Sequence, residues 1–173
     1  GFPRELLTDE SIELNCLTAY EASMLLPHRE PIAHKGTAGH VLVIGGSPGM
    51  TGAVALSCLG ALRSGCGLAT AGLRPELTFL EKPYEVIANT WPELRPKISA
   101  YSCIVFGPGL GNREDGREFL NDIIKQVKFP LIVDADGINL MAGTEKIYTF
   151  TQPVIITPHP GEMARLTKLS VAD

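Results

Sequence analysis

His40-Val41-Leu42-Val43-Ile44-Gly45-Gly46-Ser47-Pro48-Gly49-Met50-Thr51 sets the architecture expected of this chain. The run from His40 to Ile44 has strand length and no polar alternation, the pattern of a strand covered on both faces of a parallel sheet. A glycine-rich turn follows. Thr51 is then expected to cap a helix rich in Ala and Leu, from about Gly52 to Ser64, which Gly65 and Gly67 end. Leu68 to Ala71 reads as a second strand. Strand, turn, helix and strand together have the length that a βαβ crossover requires.

The pattern recurs downstream. Pro75 can start a short helix, and strands are expected around Glu85 to Ala88 and from Ala100 to Phe106. The second of these ends in Gly107-Pro108-Gly109-Leu110-Gly111. A helix with apolar residues at Phe119, Leu120, Ile123, Ile124 and Val127 follows, and then a strand at Leu131-Ile132-Val133. Asp134-Ala135-Asp136-Gly137 leads into a short helix through Asn139 and Leu140. Val154-Ile155-Ile156 ends in Thr157-Pro158-His159-Pro160-Gly161-Glu162, where another helix begins. Strands alternating with helices define an open, mainly parallel α/β sheet. Ligands bind such sheets beyond the carboxyl ends of the strands. Four loops gather at that rim: GGSPGMTG, GPGLG, DADGIN and TPHPGE.

Upstream of the first strand, Thr18-x-x-Glu21 is a capping box for a helix ending before Pro27. Residues 1–26 are expected to be a lead-in or linker from a preceding domain, since the chain opens Gly1-Phe2-Pro3 without Met. Pro27 to Gly39 is a polar loop carrying His28, Arg29, His34 and Lys35. With 173 residues, 45% of them hydrophobic and 20% charged, the composition is that of an ordinary globular domain. The net charge of −4 gives no footprint for nucleic acid or an anionic membrane. No run approaches the ~18 apolar residues of a membrane helix. Cys16, Cys58, Cys66 and Cys103 show no C-x-x-C spacing and read as free thiols in a reducing cytoplasm.

Each rim loop admits two readings. The glycines of Gly45 to Gly52 either bring backbone N–H groups against an anion at a helix start or simply permit a tight turn. They match neither a dinucleotide fingerprint nor a Walker A loop. Gly107 to Gly111 offers a bare backbone to a flat ring or a phosphate, or is a turn with no ligand. Strand alternation is expected to put Asp134 and Asp136 on one side, as two acidic contacts to a metal or hydroxyl; the alternative has Asp136 as a helix cap. His159 and Glu162 are neighbours at a helix start. His159 can hold a substrate or move a proton and Glu162 can hold a cation through water, or the pair is a cap with a surface histidine. His28, His34 and His40 lack metal-ligand spacing and are read as structural or solvent-facing. Arg29 and Lys35 are weaker candidates, Lys35 for phosphates.

Taken in order, His34-Lys35-Gly36-Thr37-Ala38-Gly39-His40-Val41-Leu42-Val43-Ile44-Gly45-Gly46-Ser47, Thr51-Gly52-Ala53, Ala61-Leu62-Arg63-Ser64-Gly65-Cys66-Gly67-Leu68, GPGLG, DADGIN and TPHPGEM resemble the ADP/ATP-dependent NAD(P)H-hydrate dehydratases, from about Pro27 to Lys168. The resemblance implies a three-layer α/β/α ribokinase-like fold and repair of damaged nicotinamide cofactor. The S epimer of NADHX or NADPHX is dehydrated to NADH or NADPH, with ADP or ATP as phosphoryl donor and Mg2+ as helper ion. By position it implies hydrate contacts at Ala53, Gly109, Gly111 and His159, further contacts at Lys35, Asp134 and Asn139, and a metal contact at Glu162. It also implies a cytoplasmic homo-oligomer, and Gly1-Phe2-Pro3 is similar to the linker that follows a fused NAD(P)H-hydrate epimerase domain.

The family's K-G-x-x-T-like loop and its G-T-G-D motif, whose Asp is the expected general base, do not occur in these 173 residues. The resemblance therefore implies that residues 27–173 are the N-terminal part of the dehydratase domain, with the sheet incomplete at its C-terminal side and the base beyond residue 173. The fragment alone is expected to be inactive and to self-associate through an uncovered sheet edge. Two alternatives stand beside this: a ribokinase-like kinase acting on a vitamin precursor, and a non-catalytic ligand-binding piece. Ribokinase-like kinases often carry N-x-x-E at the last motif, and His159 in place of Asn favours the dehydratase.

Overall fold

A computed structural model describes Ser11 and residues 17–26, 30, 32, 34–79, 82–144 and 148–171. Gly1-Phe2-Pro3, Cys16, His28 and Arg29 lie outside the described residues. The chain divides into two compact units, Gly1–Ile32 and Ala33–Asp173. In the first, α1 (Ala19–Leu25) starts as its capping box dictates. Thr18 Oγ1 accepts from Glu21 N at 3.3 Å, and Glu21 Oε2 accepts from Thr18 N at 2.9 Å.

The second unit is built on one parallel sheet. Its strands are β1 (His40–Ile44), β2 (Leu68–Leu73), β3 (Ile87–Thr90), β4 (Cys103–Phe106), β5 (Leu131–Val133) and β6 (Val154–Ile156), in the spatial order β3-β2-β1-β4-β5-β6. Its helices are α2 (Thr51–Arg63), α3 (Trp91–Leu94), α4 (Glu114–Gln126), α5 (Asp136–Ala142) and α6 (Pro160–Thr167), with a 3-10 helix at Arg95–Ala100. Leu42 and Ile44 point to one face of β1 and Val43 to the other, as the period of two requires. The first face packs on Leu94, Ile98, Phe119, Leu120, Ile123, Ile138 and Leu140, from α3, the 3-10 helix, α4 and α5. The second packs on Val54 and Cys58 of α2. Helices thus cover both faces, which explains why β1 is apolar from Val41 to Ile44. No helix among the described residues is long and apolar enough to cross a membrane.

The chain departs from the sequence expectations at several places, and β2 runs on past Ala71 to Leu73. Thr51 is the first residue of α2 rather than its cap; Met50 holds the cap position without a side-chain bond. Pro75 and Glu76 form a turn and no helix. β3 lies two residues later than Glu85–Ala88, because Thr90 and Glu93 set its end: Glu93 Oε2 accepts from Thr90 N at 2.7 Å and opens α3. β4 starts at Cys103 rather than Ala100, since Arg95–Ala100 is taken up by the 3-10 turn that buries Ile98.

Candidate active site at the carboxyl rim

Strand order reverses between β1 and β4, and a parallel sheet opens its ligand crevice at such a point. The loops after these two strands are locked together through their main chains. Gly46 N–H donates to Pro108 O at 3.0 Å, and a Cβ on Gly45 would stand 2.2 Å from that same oxygen. Ser47 Oγ donates to Gly109 O at 2.8 Å. Gly107, at φ +123°, lies so close to the loop after β5 that a Cβ there would meet Asp134 O at 1.9 Å; only glycine fits. The last carbonyl of each strand also reaches sideways. Ile44 O accepts from Gly107 N–H and Phe106 O from Asp134 N–H, both at 2.9 Å, and Val133 O accepts from Thr157 N–H at 3.3 Å. The rim is one continuous surface of backbone across β1, β4, β5 and β6.

Arg74, directly after β2, fastens this surface from beneath and was not among the residues the sequence suggested. It is 1% exposed. Its Nη1 donates to Gly46 O at 3.2 Å and to Leu110 O at 2.7 Å, one carbonyl from each glycine loop. Nε and Nη2 grip the two oxygens of Asp115 at 2.9 Å each, and the guanidinium carbon lies 4.6 Å from the centre of the Trp91 ring. The hydrogen bonds from Arg74 hold the Asp115 carboxyl below the usual carboxylate range. Its place in the sequence, after the strand residue Leu73 and before Pro75, gives no sign of this burial.

The expected hydrate contacts fall along the crevice. A Cβ on Gly109 would lie 3.1 Å from the Ala53 Cβ and 2.8 Å from Met50 O, so Ala53 at the head of α2 faces the GPGLG turn. Gly111 N–H donates to Asp136 Oδ2 at 2.8 Å. Asp134 and Asp136 do not share a side: Asp134 Oδ1 accepts from Thr157 Oγ1 at 2.6 Å, toward β6, while Asp136 turns toward the loop of β4. Strand alternation ends here because Ala135 takes φ 47°, which reverses the chain between the two carboxylates. Asn139 bridges, accepting from Arg165 Nε at 2.8 Å while its amide lies 3.4 Å from Asp136 Oδ1.

His159 is the N-cap of α6. Its Nδ1 accepts from Gly161 N–H at 3.0 Å, so in the neutral ring the hydrogen sits on Nε2. That nitrogen lies 3.3 Å from Glu162 Oε1. Glu162, 7% exposed, completes the capping box by accepting from His159 N–H at 3.0 Å. The imidazole itself is largely open to solvent. Among the described residues no three His, Cys, Asp or Glu side chains gather as a metal cage. The donor set instead suits an ion carried by a nucleotide's phosphates and touched by one carboxylate, as Mg2+ commonly is.

Lys35 is not brought to this rim. Its carbonyl sits 1.7 Å from where a Cβ on Gly67 would be, at the amino end of β2 and so at the opposite edge of the sheet. His34 caps its own turn, Nδ1 accepting from Gly36 N–H at 3.1 Å. His40 bonds Thr70 Oγ1 at 2.7 Å, and burial pushes its pKa down. Cys58, Cys66 and Cys103 are free thiols, and burial, with Cys66 nearby, pushes Cys58 up to about 12.

A doubly wound parallel sheet with its crevice between β1 and β4, roofed by glycine loops, makes this a ribokinase-like α/β protein. It superposes on a ribokinase-like superfamily protein of Enterococcus faecalis with a TM-score of 0.72 and 26% identity, over 84% of this chain and 54% of that one. Within that class, residues 41–173 match the profile of the NAD(P)H-hydrate dehydratases, and the chain belongs to that family. The ADP/ATP-dependent NAD(P)H-hydrate dehydratase of Bacillus subtilis, co-crystallised with ATP and Mg2+, superposes with a TM-score of 0.74 and 30% identity, over 93% of this chain and 58% of that one. The bifunctional NAD(P)H-hydrate repair enzyme Nnr of Moorella thermoacetica is 34% identical over 190 residues, which cover 99% of this chain. This chain spans 36% of the length of that relative.

Proposed function

We propose that the protein carrying these residues repairs nicotinamide cofactors by dehydrating the S epimer of NADHX or NADPHX with ADP or ATP. The observation that carries this reading is the placement of His159 on a rim of bare glycine backbone in a member of this family. Ala53, Gly109 and Gly111 form a floor without bulk, on which a flat ring can lie. His159, its Nδ1 engaged by Gly161 N–H and its Nε2 beside Glu162 Oε1 at 3.3 Å, is fixed at the helix head and turns an exposed imidazole face to the hydrate. Glu162 would touch Mg2+ on the nucleotide phosphates. When bound, the nucleotide supplies the phosphoryl group that makes the hydrate's hydroxyl a leaving group. Asp134, tied to Thr157, and Asn139, tied to Arg165, orient the loops beside it. Residues 1–26 serve as a linker and 27–173 as part of the dehydratase domain, in a cytoplasmic homo-oligomer joined to an epimerase domain.

The test uses the full-length protein with Mg2+, ADP or ATP, and chemically hydrated NADH. Absorbance at the NADH wavelength should return, and His159→Ala should raise KM. Absent any return, phosphorylation of a vitamin precursor instead would establish the kinase reading.

A further inference from the structure

A dinucleotide hydrate brings a pyrophosphate to the rim, and one arginine there has no carboxylate within ion-pair distance among the described residues. Arg74 is matched by Asp115, Arg113 by Glu76 and Asp115, and Arg117 by Glu114. Lys82 turns its ammonium onto the carbonyls of Pro83 and Val86. Arg165 of α6 has only Asn139 Oδ1, on its Nε at 2.8 Å. Its Nη1 slants back toward the head of the helix, 3.7 Å from where Gly161 would carry a Cβ. With Asn112, Asn139, Ala142 and Gly143 it lines a cleft of about 360 Å³.

We propose that this cleft is a phosphate subsite and that its occupant is the pyrophosphate of the dinucleotide hydrate; the assignment of the occupant rests on the dehydratase reading above. Asn112 follows Gly111 directly, and Arg165 sits on the helix that His159 heads, so the cleft adjoins two of the expected hydrate contacts. Asn139 acts as a strap. Its oxygen fixes the guanidinium, leaving the Nη edge to face the ligand as a planar fork suited to phosphate oxygens. Asn112, exposed beside it, adds an amide donor. Asp136 spends its carboxylate on Gly111 N–H and the Asn139 amide, and Glu162, one turn before Arg165 on α6, spends its own on His159.

The full-length protein is titrated calorimetrically with NADPH (a stable stand-in for the hydrate), with ADP, and with inorganic pyrophosphate in saturating ADP. Arg165→Gln should weaken NADPH and pyrophosphate about tenfold or more and leave ADP unchanged, as loss of a charged hydrogen-bonding partner does. The deficit should shrink at high salt. Arg165→Lys should recover part of the affinity. Asn112→Asp, at an exposed position away from the Asn139 strap, should weaken both ligands with melting temperature unchanged. Wild-type affinity of Arg165→Gln for NADPH and pyrophosphate would overturn the subsite. Loss of ADP affinity with NADPH unchanged would overturn the dinucleotide as occupant. If pyrophosphate binds through Arg165 while NADPH and its hydrate do not bind at all, the dehydratase reading fails and the phosphate subsite stands.

Discussion

A guanidinium removed from water must satisfy its donors inside the protein, and Arg74 does so on one carboxylate and two main-chain carbonyls. Methionine in its place fills similar volume but leaves Gly46 O and Leu110 O without a donor. We expect Arg74→Met to cost about 3 kcal/mol in urea denaturation at neutral pH; a loss under ~1 kcal/mol would mean that the clamp is slack. Part of the difference is charge and should follow pH. Because the Asp115 carboxyl is depressed in the folded state, its contribution is fully present above the unfolded value near ~3.9. It fades as pH falls through the folded value, so the gap between wild type and Arg74→Met should narrow below about pH 4. A lone arginine between a strand and a proline gives no sequence sign of burial, and this clamp was not legible beforehand. Nor was the parting of Asp134 from Asp136, which depends on a positive φ at Ala135.

At the scale of elements, the apolar runs at β1 and β5 were read with their observed bounds, because a strand buried on both faces leaves no other pattern. β3 and α3 were not: Ile87–Thr90 is short and half exposed, and the Thr90–Glu93 capping box beside Trp91-Pro92 was the cue that mattered. β6 carries a different lesson. It pairs with β5 on one side and, among the described residues, with no strand on the other. Ile155 is 57% exposed there. An unpaired apolar edge invites pairing with another chain, so the 173-residue chain should sediment as an associating species. Ile155→Lys should shift it toward monomer; identical sedimentation of the two would remove β6 from the contact.

Taken whole, the second unit has a core on each face of the sheet, one around Leu120 and one around Val43. Val43→Ala should cost about 2 kcal/mol and Leu120→Ala about 3. The strands stand between them, so the double variant should equal the sum within ~0.5 kcal/mol in denaturant titrations. A larger departure would show that the two faces communicate. Fold class was legible at this scale because alternating strands and glycine turns admit few arrangements. The order of the residues around the crevice was less so, since it depends on backbone contacts between loops far apart in sequence.

Those contacts also bear on how the protein acquires its shape. The carbonyls of Ile44, Phe106 and Val133 hold amides 63, 28 and 24 residues further on (107−44, 134−106, 157−133). Bonds across such separations form only after intervening chain has been ordered, because loop closure must precede its reward. The strand pairs beside them, Val41 with Cys103, Ile104 with Leu131 and Leu131 with Val154, close loops of nearly the same length, so the rim is gained together with the sheet and not before it.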